Sequence, residues 1–315
     1  MTVDAPVHGV VLEGTGGVWR VRTDTGEVVD ASLRGRLKQD KRAKLKLAVG
    51  DDVRLEPGER GDAWAIAEIL PRRSKLARRA PGTSRAERVV ASNIDQVIVV
   101  FAAAKPEPHP RMLDRFLVIA EANELKAHVV LNKVDLLSAT AARELFADHE
   151  RAGYPIHCTS TKTWQGLDDV HALLAGRRSV VSGPSGVGKS SLLNAMFPGA
   201  NLRVGEISES VNKGRHTTVG ARMLPLPAPD GGYVIDTPGL REVGFWNLPP
   251  EELDQCFPEL RGLREECRFG NCRHQAEPGC AVLAAVSAGQ VSTARYESYI
   301  KLREELEHSE ATESW

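Results

Sequence analysis

The tetrapeptide Asn132-Lys133-Val134-Asp135 precedes the loop Gly183-Pro184-Ser185-Gly186-Val187-Gly188-Lys189-Ser190 along the chain. The first has the make-up of a guanine reader and the second that of a polyphosphate cradle. Chains that use both ordinarily meet the phosphate loop first. Matching roles in transposed order call for an α/β nucleotide fold that the chain enters at a different strand, a circular permutation. No other feature restricts the fold as much.

The phosphate motif has the flanks its chemistry needs. Arg178-Ser179-Val180-Val181-Ser182 reads as a buried strand before it, and a helix is expected from Lys189 to Phe197. Glycines let the backbone curl so that its N–H groups face a polyphosphate, and the helix N-terminus adds a favourable dipole. Lys189 is expected to reach the β and γ phosphates and the Ser190 hydroxyl to bind Mg²⁺, with Ser191 following. A chance glycine-rich turn would lack both flanks.

Asp236-Thr237-Pro238-Gly239 closes the apolar stretch Tyr233-Val234-Ile235. Asp236 would hold Mg²⁺ through water, and the Gly239 N–H would meet the γ-phosphate. Between the two motifs lies Gly214-Arg215-His216-Thr217-Thr218, where Thr217 or Thr218 is expected to complete the Mg²⁺ shell. Spacing does not decide which, and a polar loop with a solvated histidine has the same look.

Base choice follows from hydrogen-bond chemistry. The Asp135 carboxylate can accept from N1–H and the exocyclic amine of guanine, whereas adenine would leave it unpaired. Asn132 would tie the loop and bond the base, and Lys133 would lie against its face. Ser160-Thr161-Lys162, after the expected strand Ile156-His157-Cys158, suits a second base loop in which a backbone N–H meets guanine O6.

Leu240 follows Gly239, where many nucleotide hydrolases place a water-orienting glutamine. An aliphatic side chain cannot polarise water. His216 is the sequence-local alternative as orienter or general base, against a role in partner contact or loop structure. Slow turnover without a partner is the expected consequence.

Cys267-x4-Cys272-x-His274-x5-Cys280 offers sulfur and imidazole ligands in the pattern of tetrahedral, structural Zn²⁺. Buried or free cysteines are the alternative. Cys158 and Cys256 have no such neighbours and read as small core residues.

Around these motifs the 315 residues exceed one ordinary domain. Apolar content of 42% and charge of 26% exclude wholesale disorder. The longest apolar run, Val97 to Ala104, falls far short of the roughly 20 residues a membrane helix needs. The start shows neither a basic segment nor an apolar core, so no signal peptide is expected and the protein is placed in the cytoplasm, away from membranes and as a monomer. Net charge is −1, yet Arg34, Arg36, Lys38, Lys41, Arg42, Lys44 and Lys46 cluster, as do Arg72, Arg73, Lys75, Arg78, Arg79, Arg85 and Arg88. Each cluster alone fits a solvated face; two beside one small β-rich segment point to a polyanion. The tail is acidic.

Residues 8–70 carry short alternating strands punctuated by glycine turns, the pattern of a small barrel such as the OB-fold. Strand–helix alternation then predicts a central, mostly parallel α/β domain, and from Leu248 the chain reads as helical around the Cys/His cluster. The expected divisions are an RNA-binding barrel over 1–72, a basic linker over 73–92, the permuted nucleotide domain over 93–246 and a zinc-binding helical domain over 247–315.

Taken together, these motifs and their order resemble the circularly permuted GTPases of the ribosome small-subunit-dependent GTPase A family, over nearly the whole chain. The resemblance implies GTP hydrolysis to GDP stimulated by the 30S subunit, late maturation of that subunit, and binding to 16S rRNA. One departure is Thr161, where an alanine is commoner; a backbone group does the work there, so little should change. Two other readings stay open on the residues alone: an RNA-binding module with GTP as a structural ligand, and a GTPase acting on transfer RNA or another polyanion.

Overall fold

A computed structural model describes residues 7–34, 46–58, 64–79, 87–199, 221–227, 229, 231–236 and 248–313. Strands β1 (Val7–Thr15), β2 (Val18–Thr23), β3 (Val28–Leu33), β4 (Asp52–Pro57) and β5 (Trp64–Ile69) close a barrel in the order β1-β2-β3-β5-β4. β3 and β5 pair in parallel and the other neighbours antiparallel, which is the OB arrangement. Alternation drives it: Val11, Val21, Val53, Leu55 and Ile66 point inward and are fully buried. The basic stretch 35–45 lies outside the described residues.

Where the sequence read as a linker, β6 (Lys75–Arg79) and β7 (Glu87–Ser92) pair antiparallel. Among the basic residues, Leu76 and Ala91 face each other across the register and are buried in the core of the next domain. Val90 packs against the same core, so a few apolar positions among the arginines anchor the ribbon. Asp51, wholly buried, accepts from the Ser92 hydroxyl at 2.6 Å, the Ala48 N–H at 2.8 Å and Arg72 Nε at 2.6 Å, joining barrel to ribbon.

The central sheet contains β8 (Gln96–Ala102), β9 (Lys126–Asn132), β10 (Ile156–Cys158), β11 (Arg178–Ser182), β12 (Arg222–Pro225) and β13 (Tyr233–Asp236), ordered β10-β9-β8-β11-β13-β12. Only β12 runs antiparallel to its neighbour. Period-two alternation sorts its two faces. Val97, Val99, Phe101, Val129 and Leu131 pack on Leu113, Phe116 and Leu117 of helix α1 (Pro110–Ala122). Ile98, Val100, Val130 and Val181 pack on Val170 and Leu174 of the helix Leu167–Leu174 and on Leu192 and Leu193 of the helix Lys189–Met196. Two short helices, Ala139–Glu144 and Ala147–Arg151, follow β9, and Phe146 at their junction is non-helical (φ −127°, ψ 26°) and buried in the core.

Three helices, Pro258–Glu265, Ala281–Ser287 and Thr293–Glu313, and a 3-10 turn, Pro250–Cys256, build the C-terminal part around Leu253, Phe257, Leu260, Val282 and Tyr299. It is docked on α1 through Val118, which joins this core, and by charge. Asp114 accepts from His149 Nε2 at 2.8 Å and from Arg295, which also donates to Glu259 at 2.7 and 3.0 Å and lies 4.7 Å from the Phe257 ring centroid. Asp114, His149 and Arg295 are all buried. Burial pushes the Asp114 carboxyl up, but the His149 hydrogen bond and the Arg295 charge outweigh it and hold it below its ordinary value. Among the described residues no helix is long and apolar enough to cross a membrane.

Candidate nucleotide site and metal cluster

β11 ends on the phosphate loop and β9 on the base tetrapeptide, so β8 alone separates the two motifs and both open at the strand C-terminal edge. The loop needs its glycines. Gly183 has φ +136°, and a Cβ there would lie 2.0 Å from the Val100 carbonyl oxygen. Gly188 has φ +98°, and its Cβ would meet Asn132 Nδ2 at 2.6 Å. Lys189, buried in the first turn of its helix, donates to the Gly183 and Pro184 carbonyls at 2.9 and 2.8 Å. Ser190 is buried beside it, while Ser185 and Ser191 are exposed.

Direct bonds join the motifs. Asn132 Nδ2 donates to the Val187 carbonyl at 3.0 Å, and Lys133 Nζ donates to the Gly186 carbonyl at 2.6 Å and to that of Lys105. The Lys133 amine therefore reaches across to the phosphate loop, and its aliphatic stem is the part left to face a base. Asn132 Oδ1 accepts from Thr159 at 3.2 Å, and the Val134 N–H donates to the Thr159 carbonyl at 3.2 Å. Ser160 donates to Asp135 Oδ1 at 2.7 Å while accepting from the N–H groups of Lys162 and Thr163 at 3.3 and 3.2 Å. One buried hydroxyl thus shapes the second base loop and aims the carboxylate. Thr161 is half-buried between them.

Asp236 ends β13, next to β11, in register with Arg222. His216, Thr217, Thr218, Gly239 and Leu240 lie outside the described residues.

Cys267, Cys272, His274 and Cys280 bring their ligand atoms within 4.8 Å of one another. Zn–S bonds of about 2.3 Å and Zn–N bonds of about 2.0 Å at tetrahedral angles put sulfurs about 3.8 Å apart and nitrogen about 3.5 Å from sulfur. The observed Cys267–Cys280 separation is 3.9 Å, and His274 Nδ1 stands 3.4 and 3.6 Å from those two sulfurs. The donor set fits such an ion. Burial and the neighbouring sulfurs push the Cys272 thiol up to about 12, a cost that a bound dication offsets. The other imidazole nitrogen of His274 lies 3.2 Å from Asp254 Oδ2, and Arg264 holds the second oxygen at 3.0 Å. Spacing in sequence gave no sign of Asp254, since only the fold brings it to the ring. Cys158 is half-buried and Cys256 is buried in the same C-terminal core as Cys280, and neither belongs to the ligand group.

Strand order, phosphate loop and base motif define a circularly permuted P-loop GTPase. The family model described as RsgA GTPase matches residues 69–246. A small ribosomal subunit biogenesis GTPase RsgA of Gemmatimonas aurantiaca is 58% identical over 95% of this chain and 97% of its own length. One from Moorella thermoacetica is 41% identical over 95% and 97%. The crystal structure of YjeQ from Thermotoga maritima superposes with a TM-score of 0.78 at 36% identity, covering 96% of this chain and 99% of that one. YloQ, described as a circularly permuted GTPase, gives 0.74 at 28% identity over 98% and 97%. The chain belongs to the RsgA GTPase family, and its substrate is a guanine nucleotide.

Proposed function

We propose that this GTPase acts in late maturation of the small ribosomal subunit, binds 16S rRNA as a cytoplasmic monomer, and hydrolyses GTP faster on the 30S particle. Relatives named for small-subunit biogenesis match nearly end to end, which supports the partner. The observation that carries the chemistry is the pair of hydrogen bonds from Asn132 and Lys133 to the phosphate loop, which supports one shared ligand.

In this reading Asp135 accepts from guanine N1–H and the exocyclic amine. The Thr161 N–H takes O6, because those of Lys162 and Thr163 are turned on Ser160. Lys189 leaves its loop carbonyls for the β and γ phosphates, and the Gly239 N–H meets the γ-phosphate. Ser190, Asp236 through water, and Thr217 or Thr218 would hold Mg²⁺, which when bound neutralises charge on the phosphates. His216 orients or deprotonates the attacking water in place of Leu240. The Cys267, Cys272, His274 and Cys280 cluster holds one structural Zn²⁺. The barrel over 1–72 and the basic ribbon over 73–92 serve RNA, beside the nucleotide domain over 93–246 and the zinc domain over 247–315.

Multiple-turnover GTP hydrolysis with and without 30S particles tests it. Stimulation by 30S and not by 50S is expected, with Lys189→Ala inactive in both conditions. Turnover indifferent to the subunit overturns the reading and favours an RNA-binding module with GTP as a structural ligand, an alternative that Leu240 specifically supports.

A further inference from the structure

Two lysines beside the phosphate loop hold left-handed backbone, Lys105 at φ +51° and Lys133 at φ +60°. That conformation is uncommon for a residue with a Cβ, and it gathers where function over-determines the chain. The two residues are partners. The Lys105 carbonyl accepts from the Lys133 ammonium, which also donates to the Gly186 carbonyl at 2.6 Å.

The segment that carries Lys105 has little freedom to put this carbonyl elsewhere. It joins β8 to α1 and is fastened at its start by the Ala103 N–H, which donates to the Asn132 carbonyl at 2.7 Å. At its end the His109 carbonyl accepts from the N–H groups of Met112 and Leu113 at 2.9 and 3.2 Å, in the first turn of α1. Pro106 and Pro108 stiffen the stretch between by fixing their own φ. A Cβ on Gly186 would come 3.7 Å from Pro106 Cδ, so the segment runs along the phosphate loop.

The Lys105 side chain is exposed, and an exposed lysine needs no role of its own. Its carbonyl is another matter. Gly186 alone would leave the Lys133 tip free to pivot about one contact. Carbonyls from two separate segments fix it, and the cost of ordering a long side chain is then met before a ligand binds.

We propose that Lys105 is a positioning residue of the nucleotide site: its left-handed backbone aims the carbonyl that sets the course of the Lys133 stem. The Lys105 ammonium takes no part. The proposal rests on the reading above in which the Lys133 stem faces the guanine ring.

Calorimetric titration of the zinc-loaded protein with GDP tests it. Glycine adopts left-handed backbone without strain, so Lys105→Gly should bind GDP as the parent does. Valine resists it, so Lys105→Val should turn the carbonyl away and weaken binding about tenfold, the lower end of what a hydrogen bond to a charged group contributes. Lys133→Ala should weaken binding at least as much, and adding Lys105→Val to it should cost nothing further. Equal losses in the Gly and Val variants would make the ammonium the active part, and additive losses would make Lys105 independent of Lys133. Either result overturns the proposal, as does Lys105→Val binding like the parent. Lys133→Ala binding like the parent overturns the placement of Lys133 against the base, and this proposal with it.

Discussion

Asn132 Nδ2 and the Val187 carbonyl oxygen are 3.0 Å apart, so the first residue of the base tetrapeptide is tied to the crown of the phosphate loop. Asn132 is buried, and its amide is satisfied on both sides, by Val187 and by Thr159. That bond replaces nearness in sequence as the link between the two motifs.

Gly188→Ala strikes this junction. Its Cβ would sit 2.6 Å from Asn132 Nδ2 at φ +98°, so steric overlap adds to a backbone strain of about 1–3 kcal/mol. We expect GDP and GTP affinities to fall together by at least about tenfold, with the barrel and the metal cluster unaffected. Calorimetric titration with each nucleotide checks it, and equal affinities in parent and variant would remove the junction from nucleotide binding.

Base selection gives a sharper test. Asp135→Asn keeps an acceptor for N1–H but turns the second acceptor into a donor, which repels the guanine amine and suits the C2 carbonyl of xanthine. GTP affinity should drop about a hundredfold or more, as charge-assisted paired bonds are lost, while xanthosine triphosphate binding rises. Ser160→Ala, which frees the carboxylate from its 2.7 Å bond, should cost less, about 0.5–1.5 kcal/mol or up to about tenfold, without changing the preferred base. Competition between the two triphosphates measures both effects.

Much of this site was legible because its motifs carry their chemistry in residue type and spacing. Asn132–Asp135, Gly183–Ser190 and the Cys/His cluster are compact in sequence, and the structure gathers each as a unit. Strand alternation likewise gave the barrel and the sheet. What escaped is what only the fold brings near: Asp254 on His274, Thr159 on Asn132, and the Lys105 carbonyl on Lys133. The ribbon β6–β7 escaped because its arginines dominate composition while a few apolar residues, Leu76, Val90 and Ala91, do the packing.

Asp254 orients the imbalanced ring of His274, whose other nitrogen faces the sulfurs, at 3.2 Å. Removing such a partner lowers metal affinity about 10- to 100-fold in comparable sites. Asp254→Asn should therefore release zinc to a colorimetric chelator at correspondingly lower chelator concentration, while GTP affinity stays as in the parent. Unchanged zinc retention would reduce Asp254 to a partner of Arg264 alone.

The buried contact of Asp114 with Arg295 and His149 ties the C-terminal helices to the nucleotide domain. Its carboxyl titrates below the ordinary value when folded, so its contribution is complete above the unfolded value of 3.8 and disappears as pH falls through the folded one. Asp114→Ala leaves Arg295 with Glu259 alone and takes away the acceptor of His149, a loss of about 1–3 kcal/mol for buried donors left unsatisfied. Denaturant unfolding at neutral pH should show that deficit, and the parent and variant curves should converge as pH falls through the lowered folded value and the parent's own carboxylate becomes protonated. A deficit that stays constant down to acid would mean the side chain acts through packing rather than charge.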